Sequence, residues 1–103
     1  MKESKFQKDL INELHSLFPG CLVLKNDPNY IQGMPDLSIF YEKNWAMLEC
    51  KKSESEPHRP NQDHYVSRAD EMSFARFIYP ENKEEVLDAL ERSFKSKRHS
   101  RVL

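Results

Sequence analysis

Asp36, Glu49 and Lys51 are the residues of this chain whose types and spacing could do chemistry. Asp36 ends the turn-like stretch Gly33-Met34-Pro35-Asp36, and Glu49-Cys50-Lys51 follows thirteen residues later inside an apolar run. Side chains alternate faces along a strand, so Glu49 and Lys51 point one way and Cys50 the other. If Asp36 opens the preceding strand, a hairpin brings its carboxylate beside Glu49. Two carboxylates that converge at strand ends repel each other unless a cation lies between them. Hard oxygen donors favour Mg²⁺ or Mn²⁺. A lysine beside such an ion can orient a water or stabilise charge on a phosphate. The chemistry open to this set is phosphodiester hydrolysis. Taken singly, Pro-Asp is a common turn dipeptide and an exposed Glu–Lys pair is worth little. Here, however, the two charges follow Trp45-Ala46-Met47-Leu48 without a break, and charges entering a buried strand need a partner or a metal.

The surrounding pattern supplies the elements that must position this set. Phe6, Leu10, Leu14 and Leu17 recur at helical spacing over Ser4 to Phe18, with Ile11 and Phe18 widening the stripe, and Pro19-Gly20 ends the helix. Cys21 to Leu24 reads as a first strand, Asn26 to Gly33 as a loop, and Asp36 to Tyr41 as a second strand. Glu42-Lys43-Asn44 makes a tight turn into a third strand, Trp45 to Lys51, whose faces are both largely apolar, as in a covered sheet. Ser53 to Pro60 reads as an exposed loop, Asn61 to Met72 as a second helix, Phe74 to Tyr79 as a fourth strand and Pro80 to Phe94 as a third helix. The order α-β-β-β-α-β-α predicts one α/β domain, a central mixed sheet flanked by helices on both sides.

A chain of 103 residues has room for one modest core, here over 1–94, followed by a basic tail over 95–103. The net charge of −1 gives no overall sign of a nucleic-acid binder. The stretch Lys95 to Arg101 does, because it holds Lys95, Lys97, Arg98, His99 and Arg101 and no acid. No apolar run approaches the roughly 20 residues of a membrane span, and the polar start lacks the core of a signal peptide. Cys21 and Cys50 stand alone in apolar segments and read as buried reduced thiols. A soluble, cytoplasmic protein is expected.

With Gly33-x-Pro35-Asp36 and Glu49-x-Lys51 set in this order of elements, the chain resembles the PD-(D/E)xK nuclease superfamily, whose domain is restriction-endonuclease-like. It looks most like the small virus-type replication–repair nucleases (VRR-NUC), akin to Holliday-junction resolvases. The resemblance runs from about Phe6 to Tyr79 and implies phage-type relatives. It maps the family's aspartate onto Asp36, its strand acid onto Glu49, its lysine onto Lys51 and its opening-helix acid onto Glu13. Glu13 also borders the apolar stripe, three residues after Leu10 and four before Leu17. A glutamine opening the next helix matches Gln62, which otherwise only solvates a helix start with Asn61 as N-cap.

The resemblance implies a Mg²⁺- or Mn²⁺-dependent DNA endonuclease. Asp36, Glu49 and the Cys50 backbone carbonyl would hold metal, with Glu13 completing an outer shell or a second metal. Branched or flapped DNA and a homodimer are the implied partners, with no small-molecule cofactor and no membrane. Lys52, His58 and Arg59 are candidate DNA contacts, beside Lys95, Lys97, Arg98 and Arg101 in the tail. The alternative is a catalytically silent DNA-binding or protein-interaction module on the same scaffold.

Overall fold

The structure is a computed structural model that describes residues 2–102, with side chains over 2–96. Its elements are α1 (Glu3–Leu17), β1 (Leu22–Lys25), β2 (Leu37–Tyr41), β3 (Asn44–Cys50), α2 (Gln62–Met72), β4 (Ala75–Ile78) and α3 (Lys83–Val102). This is the predicted α-β-β-β-α-β-α order. The sheet is mixed, in the order β1-β2-β3-β4, antiparallel through the first three strands and parallel between β3 and β4.

Alternation along the strands divides the core in two. Leu37, Ile39, Ala46, Leu48 and Cys50 turn to one face, where Phe6, Leu10 and Leu14 of α1 and Val86, Leu87, Leu90 and Phe94 of α3 cover them. Each of these fully buried leucines contributes about 2 kcal/mol of apolar burial. On the other face, Val66 and Ala69 of α2 pack with Ala75, Trp45, Met47 and Phe77. The cover of α2 is limited to β3 and β4, leaving the apolar Leu22, Leu24 and Phe40 of β1 and β2 exposed on that face.

Most boundaries lie within a residue of the pattern-based expectation, and the differences that matter are at the β2–β3 turn and at the two ends of α3. The β2–β3 turn has only Glu42 and Lys43 between paired strands, because Asn44 already pairs with Tyr41 and Glu42 takes a positive φ of 57°. Helix α3 starts at Lys83 and runs past Phe94 to Val102. The segment expected to be a separate tail is therefore helical backbone through 102.

Candidate active site

The strand register brings the first two acids together. β2 and β3 pair Leu37 with Leu48, so Asp36 lies opposite Glu49 one step further along. Asp36 is fixed there from both sides. Its Oδ2 accepts the Cys50 backbone N–H at 2.8 Å, and its carbonyl accepts the Asn26 N–H at 2.8 Å. The Asn26 carboxamide also donates to the Pro35 carbonyl and the Ser38 hydroxyl, at 2.8 and 2.9 Å, and so ties the loop to the start of β2.

Two helix starts complete the group. The first turn of α1 brings Glu3 to the strand ends, and one carboxylate oxygen each from Glu3, Asp36 and Glu49 lie within 4.8 Å of one another. The first residue of α2 is Gln62, buried between acid and lysine. Its Nε2 donates to Glu49 Oε2 at 3.1 Å, and its Oε1 accepts from Lys51 Nζ and from the Arg59 backbone N–H, each at 2.7 Å. Lys51 is only 2% exposed. Its ammonium meets Gln62 Oε1, the Pro57 carbonyl at 3.3 Å and Glu56 Oε2 at 3.4 Å. Three acceptors for three donors satisfy a charge that burial would otherwise penalise heavily.

The electrostatics follow from this crowding. Burial first, then the charge of Asp36 and a hydrogen bond with it, push the Glu49 carboxyl from 4.5 up to about 8. Burial, then Glu56 and Asp36, push Glu3 up as well. Glu56 goes the other way: burial opposes its charge, but the Lys52 backbone N–H and the Lys51 ammonium outweigh that and hold it low. Burial and the adjacent acids raise the Cys50 thiol far above its ordinary value, so only the Cys50 backbone is available to the site. Its N–H already turns to Asp36.

The group opens into a cleft of about 590 Å³ whose lining includes Glu3, Asp36, Glu49, Lys51, Glu56, Arg59 and Gln62. An adjoining hollow of about 350 Å³ is lined by Lys52, His58 and Arg59 together with Glu3, Glu56 and Pro57. Arg59 thus borders both, and its guanidinium makes no ion pair among the described residues. His58 is stacked on Phe77 with ring centroids 3.9 Å apart and meets Asp63 at 2.7 Å.

Of the residues expected from the sequence, Asp36, Glu49, Lys51 and Gln62 come together, and Glu13 does not. It lies ten residues beyond Glu3, about 15 Å further along the helix. There it meets Lys83 of α3 at 2.9 Å. Glu3 stands where Glu13 was expected, because α1 runs away from the site and β1 carries the chain back to it. Glu56 was also missed: the Ser53–Pro60 stretch, read as an exposed loop, folds back on Lys51. The signal for it was Lys51 itself, a buried cation that needs an anion. Asn61 holds the N-cap position in a left-handed conformation, φ 71°, without the side-chain cap bond expected of it. Lys95 borders a small hollow with Phe18 and Tyr41, at the end of β2 opposite Asp36. The side chains of Lys97, Arg98 and Arg101 lie outside the described residues.

Glycine is required at position 33. Gly33 has φ +91°, and a Cβ there would lie 2.6 Å from Asn61 Cβ and 2.9 Å from the Pro60 carbonyl. The loop before β2 and the start of α2 are pressed together at this point, which sets Gln62 against the acids.

No family model matches the sequence, and no curated protein does. Among solved structures, a VRR_NUC domain matches with a TM-score of 0.66 at 24% identity, over 86% of this chain and 94% of that one. The chain has the fold of that VRR_NUC domain. Among the described residues, no helix is long and apolar enough to cross a membrane.

Proposed function

We propose that this protein is a divalent-metal-dependent endodeoxyribonuclease that acts on branched or flapped DNA. The observation that carries the reading is the meeting of Glu3, Asp36 and Glu49 beside a fully buried Lys51 that Gln62 holds in place. The acids fit a hard cation. They offer only oxygen donors, within 4.8 Å of one another, and the charge of Asp36 penalises ionised Glu49 in the absence of a counter-charge. Asp36, Glu49 and Glu3 would hold Mg²⁺ or Mn²⁺, with the Cys50 carbonyl as a further oxygen donor. Such an ion supplies charge that polarises a phosphate and acidifies a bound water.

The protein's own residues supply the remainder. Lys51 presents a charge whose position is set by Gln62, Pro57 and Glu56, suited to balancing charge that develops on a phosphate oxygen. Gln62 keeps Glu49 oriented through its Nε2 while anchoring Lys51 through its Oε1. Arg59, at the junction of cleft and hollow, and Lys52 behind it offer cations to the strand's neighbouring phosphates.

A homodimer would present two such sites to a branched substrate, and the exposed Leu22, Leu24 and Phe40 on the uncovered face of β1 and β2 support pairing of two copies there. Sedimentation should give a dimer for the wild type and a monomer for Leu24→Lys. A wild type that is monomeric both alone and on DNA removes the paired-site part.

The nuclease reading is tested by incubating a labelled four-way junction, a flap and a linear duplex with Mg²⁺ or Mn²⁺, using wild type and Lys51→Ala. Cleavage of the branched DNA that is lost in Lys51→Ala is expected. Equal cleavage of the linear duplex removes the branch preference. A folded wild type that cuts nothing with either metal overturns the assignment in favour of a silent binding module.

A further inference from the structure

Tyr30 is the most exposed large apolar side chain of the described residues, at 84%, and the fold makes no use of it. Its loop is nevertheless tightly braced. Asp27 accepts the Asn29 N–H through Oδ1 at 2.8 Å and the Tyr30 N–H through its carbonyl at 3.3 Å. Beyond Tyr30, the Met34 N–H reaches the Ile31 carbonyl at 3.3 Å, and Gly33 is wedged against Pro60 and Asn61. Asn26 ties the other end to Pro35 and Ser38. The backbone beneath Tyr30 is therefore fixed, while the ring itself projects into solvent.

That loop belongs to the cleft. Asn29 and Gln32, on either side of Tyr30, both line the cavity that holds Asp36, Glu49 and Lys51. Neither carboxamide makes a hydrogen bond among the described residues. Both are free to meet the donor and acceptor edge of a planar heterocycle. An aromatic ring with two χ angles on a braced loop offers a stacking face at little entropic cost. The chemistry that fits an exposed π face on a braced backbone, two free amides and an adjacent acid–lysine cleft is an unpaired nucleobase. A base inside a duplex is already stacked on both sides and cannot use such a platform.

Resting on the nuclease reading, we propose that Tyr30 stacks on an unpaired nucleobase next to the phosphate bound in the cleft. The site then selects strands that carry a free base at an overhang, gap or branch.

The test places 2-aminopurine in a single-stranded overhang and follows its fluorescence during titration with wild type, Tyr30→Ala and Tyr30→Phe in Ca²⁺. Cleavage of a blunt duplex by each protein in Mg²⁺ is measured alongside. Wild type and Tyr30→Phe should quench the probe equally. Tyr30→Ala should lose the quenching and bind the overhang about tenfold more weakly, within the range for one aromatic–base stack. Its melting temperature should match wild type, and its cleavage of the blunt duplex should fall by less than its overhang binding. Overhang binding and quenching by Tyr30→Ala equal to wild type overturn the proposal and leave the nuclease reading standing. A wild type that neither binds nor cuts any of these DNAs overturns both.

Discussion

In a buffer with chelator, raising the pH from about 5 to about 8.5 is expected to lower the melting temperature of this protein, through Glu49. Its carboxyl is raised from 4.5 to about 8 in the folded state, by burial and by Asp36. The folded protein therefore keeps a proton that the unfolded chain releases near the ordinary value. The stability this proton contributes is complete below about 4.5 and is lost as the pH climbs through about 8. At about 1.4 kcal/mol per pKa unit, the full shift has a ceiling of about 5 kcal/mol. The Lys51 ammonium and the water-filled cleft reduce it, leaving about 2–3 kcal/mol, or roughly 10–20 °C for a domain of this size.

A cation that binds the ionised carboxylates competes with that proton. Mn²⁺ should therefore raise the melting temperature most near pH 8.5 and least near pH 5. Thermal melts of wild type and Glu49→Gln across this range, with chelator and with Mn²⁺, isolate the contribution of one carboxyl from every other titrating group. The variant should lose most of the pH slope. The reasoning is refuted if chelated wild type holds its melting temperature, or gains, relative to Glu49→Gln as the pH rises.

Gly33→Ala is expected to cost about 2–4 kcal/mol, combining overpacking against residues 60 and 61 with left-handed strain, and to lower the melting temperature by roughly 10–30 °C. Gln62→Leu takes from Lys51 one of its three acceptors, from Glu49 its amide donor and from the Arg59 N–H its acceptor, so urea unfolding should show a loss of about 2–4 kcal/mol. Glu3→Gln should weaken Mn²⁺ binding by about tenfold in calorimetry, whereas Glu13→Gln should leave it unchanged and cost at most about 1 kcal/mol of stability, as for a partly exposed pair.

Asp36, Glu49 and Lys51 were readable because each step from spacing to geometry is local. Strand alternation sets Glu49 and Lys51 on one face; the exact register that puts Asp36 opposite Glu49 comes from a two-residue turn at Glu42-Lys43, one residue shorter than the turn the pattern suggests. The choice between Glu3 and Glu13 is of another kind. Helical periodicity tells which face a residue occupies, and Glu13 does border the buried stripe. Height along the axis is decided by where β1 returns the chain, a tertiary fact that no helical wheel contains. Glu56 was illegible for a similar reason: nothing in Ser53-Glu54-Ser55-Glu56 says which of two glutamates folds back. The apolar pattern of α3 stops at Phe94, but a nucleated helix needs no further apolar residue to propagate, and the helix runs to Val102.

The structure also explains why glutamine, and no close relative, suits position 62. The side chain must donate to Glu49 and accept from both Lys51 and the Arg59 N–H. An ionised glutamate could accept but not donate, and would add a further negative charge beside Glu49. A leucine of similar length could do neither, and an asparagine is one methylene too short to span the same gap. The amide makes the positions of acid and lysine interdependent, since moving either one breaks a bond to the same group. It also limits Lys51, whose three donors are all in use. For that ammonium to reach a phosphate oxygen, it must give up one acceptor. The 2.7 Å bond to Gln62 is the shortest of the three, so the exchange falls on Pro57 or Glu56, at 3.3 and 3.4 Å. The loop over 53–60 is therefore what sets the availability of Lys51, while Gln62 keeps it aimed.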